Sequence, residues 1–222
     1  MKFGVIVFPG SNCDHDAYHV ISKHVGQPVD FVWHRDTDLS SYDAVIIPGG
    51  FSYGDYLRAG AIARFSPVME AVQGFAGAGG PVLGICNGFQ VLCEAGLLPG
   101  ALLVNQGLRF VSRQVEIVSE SDRSPFTAAL RSGERLSLPV KHGEGRFFAS
   151  EEILDELEAR DQVAFRYAEG DNPNGSARDI AGVTNQAGNV LGLMPHPEHA
   201  VDELTGSTDG LCLFEAVAGV TA

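Results

Sequence analysis

A chain of 222 residues, 45% of them hydrophobic, carries enough apolar material for one continuous core, and its formal charge of -13 argues against a general electrostatic binder of nucleic acid or anionic membranes. The apolar start of the chain is cut by Pro9-Gly10 before it reaches the length of a signal-peptide core, and no later run approaches a membrane span, so a cytoplasmic protein is expected. Cys13, Cys86, Cys93 and Cys212 show neither a CxxC spacing nor a dense framework, so neither disulfides nor a cysteine zinc site is expected.

Residues 3–8 form an apolar run suited to a strand buried on both faces, and Pro9-Gly10-Ser11-Asn12 supplies a turn and a helix cap. A helix is expected over 13–25, then a break at Gly26-Gln27-Pro28, and strands over 29–33 and 43–47. The second of these strands ends at Pro48-Gly49-Gly50. A helix over 59–76 then leads to a strand ending at Cys86, which completes the alternation of a parallel sheet with helices on both faces. Beyond it, strands are expected over 109–118 and 135–141, a helix over 150–159 capped by Ser150, strands over 162–167, 180–184 and 190–194, and a closing helix over 210–217. Asn172-Pro173-Asn174-Gly175 reads as a turn, and residues 185–189 as a hairpin connection. The fold class expected is α/β, a mostly parallel open sheet with a small antiparallel extension. With no repeat and no linker, one domain over 1–222 is expected.

Gly84-Ile85-Cys86-Asn87-Gly88-Phe89-Gln90 has the form of a nucleophile elbow. Glycines two before and two after the reactive residue admit the sharp strand-to-helix turn, and the helix that follows sets partial positive charge beside the sulfur, favouring a thiolate. The competing reading is a small buried cysteine of no chemical consequence. A thiolate nucleophile needs a base and a group to orient that base. Met194-Pro195-His196-Pro197-Glu198-His199 supplies both: the prolines hold the backbone extended, residues two apart then face one side, and Glu198 can fix the tautomer of His196. The turn at Pro48-Gly49-Gly50 offers free backbone amides, so Gly50 and Asn87 are the candidate oxyanion donors. All three motifs stand at carboxyl ends of strands, where open parallel sheets place their sites.

Other features are weaker. Cys13, His15 and His19 beside Asp14 and Asp16 read as a hydrated helix face, and no metal site is expected; residues 9–12 lack the lysine of a phosphate loop. Lys141-His142-Gly143-Glu144-Gly145-Arg146 is either a solvated loop or a contact with substrate or partner.

The elbow, the Pro48-Gly49-Gly50 turn and His196-Pro197-Glu198 together resemble the class I (triad) glutamine amidotransferases over essentially the whole chain, a flavodoxin-like fold. Phe8-Pro9-Gly10-Ser11-Asn12-Cys13-Asp14, the stretch from Gly49-Gly50-Phe51 to Ala61, the segment from Lys141 to Arg146 and Asn172-Pro173-Asn174-Gly175-Ser176 are similar to the purine-pathway branch, the glutaminase subunits of phosphoribosylformylglycinamidine synthases. The resemblance implies that Cys86 attacks the side-chain amide of glutamine, that His196 and Glu198 serve as base and orienter, and that Gln90, His142 and Gly143 hold the substrate. It also implies no cofactor in this chain, ATP and magnesium used by a large synthetase subunit, PurL, and a small accessory subunit, PurS, with docking expected at 9–14 and 141–146. Two alternatives stand beside it: a redox sensor or chaperone like DJ-1, and a free-standing hydrolase of the same fold. A sensor thiol has no use for a base with its own orienter, which disfavours the first.

Overall fold

Phe3–Val7, Ala44–Ile47 and Val82–Ile85 carry no polar side chain, and in the computed structural model, which describes residues 1–219, they are β1, β3 and β4 of one nine-stranded sheet. The last three residues of the domain expected over 1–222 lie outside the described residues. The other strands of that sheet are β2 (Val29–Trp33), β6 (Val111–Ser119), β7 (Arg135–His142), β9 (Val163–Tyr167), β10 (Ile180–Thr184) and β11 (Val190–Leu193). Their order is β2-β1-β3-β4-β11-β10-β9-β6-β7. From β2 to β11 every pairing is parallel, and from β11 to β7 every pairing is antiparallel. The extension expected from the sequence is thus continuous with the parallel half. All residues of β3, β4 and β11 are buried, as strands covered on both faces must be.

The helices are α1 (Asp14–His19), α2 (Pro67–Gly77), α3 (Asn87–Glu94), α4 (Glu151–Ala159) and α5 (Leu211–Ala218). The helix expected over 13–25 is α1 followed by a π-helical stretch, Val20–His24. The one expected over 59–76 starts only at Pro67. Proline disfavours helical backbone in the residue before it, and Ser66 accordingly has ψ 141°, while Pro67 takes the first helical position, where its missing N–H costs nothing. Residues 59–66 hold only a short 3-10 turn, Ala63–Phe65. The expected cap at Ser150 is present, its hydroxyl accepting from the amide of Ile153 at 3.4 Å. The sequence reading omitted β5 (Ala101–Leu103) and β8 (Arg146–Phe148), which form a separate antiparallel pair; three residues are too few to display an alternation.

β7 lies at the sheet edge, yet the amide of His196, three residues past the end of β11, donates to the carbonyl of Pro139 in β7 at 2.9 Å. The antiparallel half therefore bends round until its last strand lies against the carboxyl end of the parallel half. Proline is admissible at position 139 because β7 pairs with β6 alone, leaving its other side free of ladder bonds.

Candidate active site

Cys86 sits between β4 and α3 with φ 50° and ψ -103°, a left-handed backbone that a non-glycine residue adopts only under constraint. The glycines at 84 and 88 provide that constraint. A side chain at 84 would run into Leu92 and the carbonyl of Gly88, and one at 88 into the carbonyl of Ile47 on β3. The helix thus packs directly on the strands, and the cysteine is held at its N-terminus. β3, β4 and β11 are adjacent, with Ile47 beside Gly84 and Leu193 beside Ile85, so the segments that follow them bring Gly50, Cys86 and His196 to one edge.

His196 Nδ1 lies 2.6 Å from Glu198 Oε1, and both side chains are buried. Glu198 reaches the ring differently from the sequence expectation. His196 itself is extended, but Pro197–His199 closes into a 3-10 turn that swings the carboxylate under the imidazole. An ionised Glu198 accepts from Nδ1–H, which leaves Nε2 as the free nitrogen; among the described residues it has no hydrogen-bond partner. Burial opposes the imidazolium, but Glu198, and next Cys86, raise the pKa of His196 well above the usual histidine value. Burial likewise opposes the Glu198 carboxylate, and the pull of His196 prevails, holding that carboxyl below its ordinary value. The ring is therefore favoured in its protonated form beside the sulfur.

Two cavities meet at Cys86. The larger, about 310 Å³, is also lined by Cys13, His196 and His199; the smaller, about 160 Å³, by Asp55, Gln90, Gly143 and Glu144. Gly50, Phe51, Phe110 and Lys141 wall both. Gly50 faces Ser11 with bonds on either side of it, Phe51 N to Gly10 O at 2.9 Å and Asn12 N to Gly49 O at 3.2 Å, so the strand-like contact leaves its own amide free. The amide of Asn87, first residue of α3, is one of those a helix leaves unpaired. The candidate oxyanion donors therefore flank the nucleophile. The side chain of Asn87 ties residues 52–55 to α3: its Oδ1 accepts from Ser52 N at 3.0 Å, and its Nδ2 donates to Gln90 Oε1 at 2.9 Å and to Asp55 Oδ1 at 3.3 Å.

Gln90 in turn donates from Nε2 to the carbonyl of Glu144 at 2.6 Å, so it braces the wall of the smaller cavity as well as facing it. His142 lines that cavity, but its ring is turned into the loop: Nδ1 donates to Asn105 Oδ1 at 3.1 Å, and Asn174 Nδ2 approaches Nε2 at 3.5 Å. Burial, with His196 nearby, pushes its pKa down to about 4, so it is a neutral ring that shapes residues 142–145. Asn105 completes the brace, accepting from Gly145 N at 2.9 Å and donating to the carbonyl of His142 at 2.9 Å.

Several residues escaped the sequence reading. Asp55, with φ 52°, has its pKa raised to about 6 by burial and by Glu144. Asn105 lay in no motif of the sequence; Asn174 and Glu144 stood in the segments 172–175 and 141–146 that the sequence marks, though without a role of their own. Cys13 does approach a histidine, but that histidine is His196. His15 is exposed and packs on Phe31, and His19 packs on His24.

A thiol on a strained turn, an imidazole with a buried carboxylate behind it and two free amides are the parts of an acyl-transfer site that proceeds through a thioester. The family model described as a CobB/CobQ-like glutamine amidotransferase domain matches residues 1–209. A relative from Salinibacter ruber, phosphoribosylformylglycinamidine synthase subunit PurQ, is 56% identical over 97% of this chain and 95% of its own. A chain in the structure of PurLQS from Thermotoga maritima superposes with a TM-score of 0.90 at 43% identity, over 98% of this chain and 97% of that one. A glutamine amidotransferase from Thermotoga maritima, at 18% identity and TM-score 0.59 over 90% of this chain and 77% of its own, shares the fold. The chain belongs to the CobB/CobQ-like glutamine amidotransferase family.

Proposed function

We propose that this chain is the glutaminase component of a phosphoribosylformylglycinamidine synthase, releasing ammonia from glutamine for a partner that converts formylglycinamide ribonucleotide to formylglycinamidine ribonucleotide in purine biosynthesis. The observation that carries the reading is the His196–Glu198 pair set just past the end of the strand beside the elbow of Cys86, in a chain 56% identical to such a subunit. Glutamine enters the smaller cavity with its amide carbon at the sulfur. The Cys86 thiolate adds to that carbon, and the amides of Gly50 and Asn87 hold the oxyanion. The imidazolium of His196 gives its Nε2 proton to the leaving nitrogen, and ammonia departs from a γ-glutamyl thioester. Water then attacks the thioester as Nε2 takes its proton, and glutamate leaves.

Ammonia set free at neutral pH is mostly protonated and no longer nucleophilic, so direct delivery to a partner is required. We assign that role to a large synthetase subunit, PurL, using ATP and magnesium, with a small subunit, PurS, in the same cytoplasmic assembly. Residues 9–14 and 141–146 contribute Asn12, Cys13 and Lys141 through Glu144 to the two cavity walls, and we place the synthetase over that face. No cofactor is assigned to this chain. The test is Cys86→Ala in the assembled enzyme. Glutamine-dependent synthesis is expected to fall to background while ammonia-dependent synthesis persists; retained use of glutamine would remove Cys86 from the chemistry. A redox-sensor reading is disfavoured because the carboxylate behind His196 serves proton transfer and not thiol oxidation.

A further inference from the structure

We propose that Tyr53 is a positioning residue for glutamine hydrolysis: its hydroxyl, held between His34 and Ser66, fixes the turn that presents the amide of Gly50 to the oxyanion. Tyr53 is not among the described residues that wall the two cavities, so its effect on the chemistry passes through the backbone. The hydroxyl lies 2.8 Å from His34 Nδ1 and 2.8 Å from Ser66 Oγ. A phenol can give one hydrogen bond while it receives another, so both contacts are satisfied at once. The His34 ring meets the Tyr53 ring edge-on with centroids 5.7 Å apart, and Phe8, just past β1, lies beside it at 6.5 Å. The end of β2, the start of α2 and the turn after β3 thus converge on one hydroxyl.

Two observations mark this contact as more than packing. The first is the backbone. Tyr53 has φ 54° and ψ 27°, a left-handed conformation that a tyrosine keeps only where its surroundings over-determine it. The amide of Tyr53 donates to Pro9 O at 2.6 Å while the hydroxyl holds the far end of the side chain. Only residues 50–52 separate that bond from the one between Asn12 N and Gly49 O, so the clamp also sets the direction of Gly50. Ser52 N, in the same turn, is bonded to Asn87 Oδ1, which ties the two candidate oxyanion donors to each other. The second observation is Ser66. It stands at the N-cap of α2, where a serine hydroxyl ordinarily accepts from an amide of the first turn, yet it makes no such bond. The carbonyl of His34 accepts from Val68 N at 3.1 Å in its place, and the Ser66 hydroxyl is turned to Tyr53.

The catalytic role rests on the glutaminase reading, whereas the anchoring of the turn does not. An oxyanion donor acts on the transition state and not on bound glutamine, so loosening it lowers kcat and spares KM. The test compares Tyr53→Phe, which keeps the ring and removes both bonds, with the milder Ser66→Ala. In the assembled enzyme, kcat for glutamine hydrolysis should fall about tenfold or more for Tyr53→Phe and about threefold for Ser66→Ala, with KM within about twofold of the wild type. In the full chain alone, hydrogen exchange at the amides of Phe51 and Tyr53 should quicken about tenfold in Tyr53→Phe, and not at those of β3 or α2. Unchanged exchange at these two amides overturns the anchor, whatever the enzyme does with glutamine. Faster exchange with kcat unchanged overturns the positioning role, since a purely structural tyrosine would lower only the denaturant midpoint. A wild-type assembly that hydrolyses no glutamine removes the glutaminase reading and this role with it, a result distinct from the other two.

Discussion

Glu198 touches only one atom of the reacting assembly, Nδ1 of His196, yet it sets the tautomer and supports the charge on the ring. Glu198→Gln keeps the shape but brings an amide donor to Nδ1, and kcat for glutamine hydrolysis should fall on the order of 10²–10⁴-fold with KM little changed. Steady-state kinetics decide it, and a loss below about fivefold would deny Glu198 the orienting role. His142 carries a different prediction, for stability. Its pKa in the fold, about 4, lies below the 6.5 of an unfolded histidine, so the unfolded chain binds more protons between those values. Its contribution is complete above pH 6.5 and is lost as pH falls toward 4, by up to about 3 kcal/mol. Urea midpoints at pH 7 and pH 4.5 should drop more for the wild type than for His142→Asn; parallel drops would show the ring to be unimportant. Cys86, His196 and Glu198 were legible in the sequence because glycine and proline neighbours announce a fixed backbone. Asp55 and Glu144 stood in marked segments, but their mutual effect was not legible, since a carboxylate in a loop looks solvated until burial and a second carboxylate act on it.

At the level of the element, the elbow works because α3 lies almost in contact with β3 and β4. A methyl at 88 meets the carbonyl of Ile47, a backbone atom that cannot turn away, while one at 84 meets a leucine side chain as well as backbone. Gly88→Ala should therefore cost about 3 kcal/mol or more, and Gly84→Ala somewhat less, both read as denaturant midpoints. Equal and small losses would mean that α3 can shift outward without penalty. The strands of the parallel half were legible almost to the residue, since a run without polar side chains between turn residues has few other outcomes. The start of α2 was not. Residues 59–66 contain helix-forming residues, but Gly60 has φ 80° and approaches the backbone of Gln90 and Val91, a tertiary demand that local propensity does not register.

Across the whole molecule, the site joins distant parts of the chain. Cys86 Sγ lies 3.8 Å from the carbonyl of Lys141, and the order β4-β11-β10 inserts a late strand into the centre of the sheet. These pairings are non-local, and such contacts form slowly. On refolding from urea, recovery of glutaminase activity should lag the far-ultraviolet dichroism of the helices; simultaneous recovery would show the elbow and its base assembling in one step. The bending of β7 onto the segment after β11 could not be read from the sequence, because alternation reports which face a strand buries and not which strand it meets. The late insertion of β11 also bears on how the protein is made. While the ribosome is still adding residues, β4 has only β3 beside it, and its other edge, apolar and unpaired, stays open until Val190–Leu193 emerge. An open edge of that kind recruits other chains. A nascent chain stalled before residue 190 should therefore hold chaperones that the full-length chain releases, and the cell's yield of this enzyme depends on how quickly its last thirty or so residues follow the rest.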